Sequence, residues 1–216
     1  MRVIFFLATS LLLVFCSGQN DNSQKPNKTK MNSSANLQKA TFGGGCFWCV
    51  EAVFDMLNGV ESVTSGYAGG NTENPNYKEV SKGTTGHAEV VQVVFNPEII
   101  SFDELLDVFW TVHDPTQLNR QGNDVGTQYR SIILYENEEQ KLSADRSIKE
   151  YEASDLYDGS FTTQVVPLDK FYSAEEYHQN YYVNDGGQNP YCSVVIAPKV
   201  DKFLKKFHDK LKPEYK

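Results

Sequence analysis

Cysteine is scarce in this chain. Its 216 residues hold four, Cys16, Cys46, Cys49 and Cys192, unevenly spread. That excludes a disulfide-stapled scaffold, so a hydrophobic core must hold the fold and the thiols are free for chemistry. Basic charge is also in short supply. Twenty Lys and Arg face 28 Asp and Glu, for a formal net charge of -8. Nucleic acid is therefore not expected as a partner, because phosphate contacts need clustered cations. The one basic run, Lys202 to Lys212, alternates with Phe203, Leu204, Phe207 and Leu211 and reads as the solvated face of an amphipathic helix. No apolar run is long enough for a confident membrane span, and neither internal repeats nor a second domain are visible.

What is present begins with a targeting segment. Arg2 precedes the apolar runs Val3 to Ala8 and Leu11 to Phe15, and residues 1–18 read as a leader. Two processing routes stay open. One is cleavage at the small residues around Gly18. The other is lipidation of Cys16 as in a bacterial lipoprotein, although Phe15 is large where that motif has a small residue. Either route implies export, to the periplasm or to a membrane anchor. Residues 19–37 are rich in Asn, Ser and Lys, contain Pro26 and read as a disordered linker. The sequons at Asn27 and Asn32 fall in this polar tract and carry little weight.

Residues 38–216 form the remaining domain, expected to act as a monomer. Lys39 to Phe42 reads as a strand and Val50 to Leu57 as a helix, with further strands over Val60 to Tyr67 and Ala88 to Phe95. Ser101 and Glu104 spell a capping box for a helix over Phe102 to Val112, and Tyr129 to Tyr135 reads as a fourth strand. The order β-α-β-β-α-β predicts an α+β fold with a ferredoxin-like, split βαβ core, a two-layer sandwich. Extra helices and a long C-terminal segment follow: a helix over Glu138 to Ala153, a short strand over Thr163 to Leu168, a helix capped at Ser173 and running to Tyr182, a loop with Gly186 and Gly187, and a last helix over Pro198 to Leu211.

Gly43-Gly44-Gly45-Cys46-Phe47-Trp48-Cys49 stands between the first strand and the first helix. Free N–H groups at a helix start favour a thiolate, which predicts a lowered pKa for Cys46. Phe47 and Trp48 put two apolar faces beside it. Cys46 and Cys49 form a C-x-x-C pair, a spacing used in disulfide exchange, zinc binding, Fe–S ligation and haem attachment. Haem attachment needs His after the second Cys, where Val50 stands, and Fe–S ligation needs more thiolates. Zinc needs four ligands, which Cys46, Cys49, Cys192 and one of His87, His113, His178 or His208 would have to supply without a second paired motif. Three functions are thus in competition: a reactive-thiol enzyme, a general dithiol oxidoreductase and a zinc-stabilised module. Glu89 opens an otherwise apolar strand. It reads either as a carboxyl kept protonated by apolar surroundings, and so an acid, or as a solvent-facing residue of an alternating strand.

Taken together, Gly45-Cys46-Phe47-Trp48, Gly66-Tyr67-Ala68-Gly69-Gly70, Asn74-Pro75-Asn76-Tyr77, Thr85-Gly86-His87-Ala88-Glu89, Phe109-Trp110 to His113-Asp114-Pro115 and the segment Arg120 to Ser131 resemble the A-type peptide methionine sulfoxide reductases. The resemblance runs from about Ala40 to Ala197. It implies Cys46 as nucleophile, Phe47 and Trp48 as the pocket for the substrate's methyl group, and Glu89 as the acid near the sulfoxide oxygen. It also implies Tyr77 and Tyr129 as hydrogen-bond donors to that oxygen, and Asp124 as support for the polar part of the site. Such enzymes act on the S epimer of methionine sulfoxide, free or in oxidised proteins, use thioredoxin as reductant, and need neither metal nor organic cofactor. Many relatives carry Gly where this chain has Cys49. Cys192, in Asn189-Pro190-Tyr191-Cys192, matches the usual resolving position and is favoured, with Cys49 as the alternative or as a relay.

Overall fold

The computed structural model describes residues 36–154, 156–185 and 188–216. The leader, Cys16, the linker as far as residue 35, and Gly186-Gly187 lie outside them. The elements are β1 Gln38–Gly43, α1 Phe47–Asp55, β2 Val60–Ala68, α2 Tyr77–Val80, β3 Ala88–Phe95, α3 Phe102–Val112, β4 Arg120–Gln121, β5 Asp124–Val125, β6 Ile132–Tyr135, α4 Glu138–Glu152, β7 Gln164–Pro167, β8 Phe171–Ser173, α5 Tyr181–Asp185 and α6 Ala197–Lys206. A mixed six-stranded sheet has the order β7-β6-β1-β3-β2-β8, and β4 and β5 form a separate hairpin. All its pairings are antiparallel except β6 with β7.

The period of two along a strand sorts the side chains onto two faces. On β3, Val91, Val93 and Phe95 join the main core beneath α1 and α3, while Ala88 and Val90 join a smaller cluster on the opposite face with Ile132 and Leu134. Phe42 of β1 anchors the main core, with its ring centroid 5.2, 5.8 and 5.1 Å from those of Phe54, Phe102 and Phe109. Truncating so enclosed a ring costs about 3–5 kcal/mol. The capping box of α3 forms as expected: the Glu104 N–H donates to Ser101 Oγ at 3.2 Å, and Ser101 N–H donates to Glu104 Oε2 at 2.8 Å.

Four sequence expectations shift. Tyr129 ends a 3₁₀ turn, Thr127–Tyr129, and its strand begins only at Ile132. The polar stretch Gly69 to Gly86 reads as a long loop, and within it Tyr77 opens the short α2, where Asn76 Oδ1 accepts from Glu79 N–H. No helix starts at Ser173. That residue ends β8, which pairs with the edge of β2, and the Glu175 carboxylate is taken by Tyr77 N–H and Tyr67 O–H rather than by a local cap. The last helix ends at Lys206, a 3₁₀ turn follows over His208–Lys210, and Leu211 bridges to Leu57.

Candidate active site

Cys46 is the N-cap residue of α1, so the predicted turn from strand into helix is there, with the helix beginning at Phe47. Gly45 makes the approach feasible. Its φ is +93°, and a Cβ there would lie 2.7 Å from Cβ and Cγ of Gln121. Gln121 in turn holds the Asp114 backbone through both ends of its amide, at 3.1 and 3.0 Å.

Glu89 shares the inward face of β3 with Val91, Val93 and Phe95. It is 1% exposed, so its solvent-facing alternative does not hold. Its Oε2 accepts the Phe47 N–H at 3.1 Å, which places the carboxyl under the first turn of α1. Burial pushes it up to about 8, the Phe47 N–H opposes the rise, and the charges of Asp124 and Cys49 add to it. Glu89 is therefore mostly protonated at neutral pH and can give up a proton.

The thiols differ from the sequence expectation. Burial raises Cys46 well above the ordinary thiol range, its hydrogen bond to Cys49 and the Glu89 charge raise it further, and only the Trp48 N–H opposes. Desolvation outweighs the helix terminus here. Cys49 moves the other way, down to about 7, first because the Cys46 thiol donates to it, and then through Lys199 and Tyr191 against the effect of burial. The two thiols are thus pushed in opposite directions, Cys46 up and Cys49 down. Cys192 is buried and pushed up to about 11, by burial first and then by Asp185, and the Cys49 charge acts on it too. Cys49 thus sits in electrostatic reach of both other thiols.

Tyr77 and Tyr129 face the same charges. Burial raises Tyr77 to about 12, aided by Glu89 and then Cys46. Tyr129 rises further, through burial, Glu89, Tyr77 and Cys46. Both phenols keep their protons and remain donors. Asp124 is presented by the β4–β5 hairpin, and its Oδ2 accepts from Tyr191 O–H at 2.5 Å.

The predicted apolar wall is also in place. Phe47 is 1% exposed. Trp48 is half-buried, with its ring stacked on Tyr181 at 3.8 Å and 9° and edge-on to Tyr191 at 6.0 Å. Trp48 Nε1–H donates to His178 Nδ1 at 3.2 Å. A neutral ring that accepts there carries its proton on Nε2, and that buried nitrogen has no hydrogen-bond partner among the described residues. Burial lowers the pKa of His178, consistent with the neutral form.

His178, Tyr181, Tyr191 and Glu175 escaped the sequence reading as members of the site. They lie more than 85 positions beyond Glu89, where the sequence marks His178 only as a possible zinc ligand and Tyr191 only as the neighbour of Cys192. The one local signal was aromatic density, since six of the residues 171–191 are Phe or Tyr. Among the described residues no three His, Cys, Asp or Glu are grouped as a metal site. The arrangement joins a thiol pair, a protonated carboxyl and two phenols at one end of a cluster of aromatic rings. It can attack a soft electrophilic atom while donating protons to an oxygen bonded to it.

A sequence model described as peptide methionine sulfoxide reductase matches residues 38–212. The chain is 57% identical over 169 residues to a peptide methionine sulfoxide reductase MsrA of Nautilia profundicola, covering 78% of this chain and 95% of that one. Among solved structures it is similar to Mxr1 of Saccharomyces cerevisiae in reduced form, with a TM-score of 0.64, 34% identity and coverage of 69% and 86%. It is also similar to methionine sulfoxide reductase A of Corynebacterium diphtheriae, with a TM-score of 0.63, 38% identity and coverage of 69% and 76%. With this site and these relatives, the chain belongs to the peptide methionine sulfoxide reductase family, as an enzyme of the MsrA type.

Proposed function

We propose that the enzyme reduces the S epimer of methionine sulfoxide, free and in oxidised proteins, through attack of Cys46 on sulfur. The observation that carries this is a buried acid, Glu89, raised to about 8 and bonded to the first N–H of α1, beside the Cys46–Cys49 thiol pair at the same helix start. The substrate's methyl group rests against Phe47 and Trp48, and its oxygen meets Glu89, Tyr77 and Tyr129. Cys46 gives its proton to the Cys49 sulfur that it is hydrogen-bonded to and attacks the substrate's sulfur, as Glu89 protonates the oxygen. The oxygen passes to Cys46 as a sulfenic acid, and methionine leaves with its electron pair restored on sulfur.

A second thiol then displaces the sulfenic oxygen as water and leaves a disulfide. The hydrogen bond between Cys49 and Cys46, one helical turn apart, supports Cys49 as the first resolving thiol, in place of the Cys192 that the resemblance favours, with Cys192 taking the disulfide afterwards. A thioredoxin-like dithiol reduces the product by exchange. Thiol counting after one turnover tests this order. Cys192→Ser should still lose two thiols, whereas Cys49→Ser should hold a sulfenic acid long enough for capture by dimedone. Rapid disulfide formation in Cys49→Ser would assign the first step to Cys192.

The antiparallel order β6-β1-β3-β2 supports reading the four central strands as a split βαβ core. The leader over residues 1–18 supports export, with or without a lipid on Cys16, and the mass of the mature chain decides between the two.

A further inference from the structure

Besides Glu89, Glu51 is the only buried carboxyl among the described residues, at 2% exposure, and the chemistry above makes no use of it. It lies on α1, and its Oε2 accepts from the Tyr181 N–H at 3.4 Å, while Oε1 has no hydrogen-bond partner among the described residues. Burial raises its pKa, and the Asn180 N–H, the Ser65 hydroxyl and the Tyr181 N–H oppose that rise. Tyr181 opens α5 and Asn180 directly precedes it. The preceding chain is held separately: both ends of the Gln179 amide bond the Ser65 backbone, at 3.0 Å each.

Apolar packing holds α5 only through its first two rings, Tyr181 and Tyr182, which lie half-buried against the main core. None of its residues is buried, Val183 is 62% exposed, and a small cavity is lined by Ala52 and Met56 of α1 together with Val183 and Tyr215. Yet Tyr181 opens α5, and its ring forms the back of Trp48 at 3.8 Å. Besides that stack, the ring is held at its tip, where Tyr181 Oη accepts from Asn189 Nδ2 at 2.9 Å. A buried carboxyl costs stability that an apolar residue at this place would not, and its hydrogen bond to the Tyr181 N–H is what it gives in return.

We propose that Glu51 is a positioning residue for the substrate pocket: by accepting the Tyr181 N–H at the start of α5, it keeps Tyr181 against Trp48, so that the wall receiving the substrate's apolar end is formed before substrate arrives. The proposal rests on the sulfoxide-reductase reading of that pocket. Its test uses Glu51→Leu, which fills the space without an acceptor, and Glu51→Gln, which keeps one. Acrylamide quenching of the reduced resting protein reports on Trp48 alone, because Trp110 is fully buried. Glu51→Leu should raise the quenching constant and raise KM for methionine S-sulfoxide about tenfold, the size expected for one lost buried hydrogen bond. The single-turnover rate at saturation should stay within about threefold, and Glu51→Gln should restore both properties.

Unchanged quenching and KM in folded Glu51→Leu, or equal losses of rate in both variants, would overturn the proposal. If Glu51→Leu does not fold, Tyr181→Leu removes the stacked ring and leaves the backbone bond, and it must show the same rise in KM; an unchanged KM there also overturns it. A wild-type protein inactive on the sulfoxide would sink the functional reading, while the quenching comparison, which needs no substrate, still decides whether Glu51 holds Tyr181 to Trp48.

Discussion

Replacing Glu89 with Gln keeps the size of the side chain and an oxygen for the Phe47 N–H, and removes only the titration. In the folded protein Glu89 ionises at about 8, against an ordinary value of 4.5. At about 1.36 kcal/mol per pH unit, the gap sets a ceiling of about 5 kcal/mol on the cost of charging it in place. Between those two pH values the folded state holds a proton that the unfolded state has lost. Wild-type stability should therefore fall as pH rises from 4.5 to 8, and Glu89→Gln should lack that part of the slope. Urea unfolding of both proteins at pH 5 and pH 8.5 measures the difference, which should move by several kcal/mol in favour of the variant. The catalytic side is the mirror image. Single-turnover methionine formation in the wild type should decline above about pH 8 as the acid is lost. In Glu89→Gln it should be lower by about 10² to 10⁴ at neutral pH and show no such decline, leaving only the rise from thiol ionisation. A variant within threefold of the wild type at pH 7, or a stability difference that ignores pH, would refute the reasoning.

Tyr77→Phe and Tyr129→Phe should each slow the same step about tenfold and the pair together about a thousandfold, since each leaves the other donor on the oxygen; quenched-flow assays of the three variants check this. Trp48→Ala removes the face stacked on Tyr181 and the donor to His178, and should raise KM more than tenfold with a smaller effect on the rate at saturation. Arg130 is buried and donates to the carbonyls of Gly69, Gly86 and Thr127 and to Gln164 Oε1. Arg130→Met should thus lower unfolding stability by about 3 kcal/mol or more by denaturant titration, because several buried acceptors lose their partner.

The strands and helices with a strong period were legible from sequence alone. β3 and α3 begin and end where alternation and a capping box place them. Glu89 was legible as an odd carboxyl in an apolar strand, but its face was not, because alternation does not say which side is covered. β8 misled because Ser173-Ala174-Glu175-Glu176 spells a local cap, while the long-range demands of Tyr67 and Tyr77 on Glu175 win. The raised Cys46 thiol was hidden for a similar reason. A helix start is visible in the sequence, whereas the burial that outweighs it belongs to residues drawn from the whole chain. The aromatic wall behind Trp48 needs the fold, since Tyr181 and Trp48 are 133 positions apart.

The most direct measurement is a single-turnover assay of fully reduced protein with separated methionine sulfoxide epimers and no added reductant. Methionine should form from the S epimer alone, with two thiols lost per turnover, and Cys46→Ser should form none. Folded, reduced protein that yields no methionine from the S epimer, or that does so equally well without Cys46, would contradict the account.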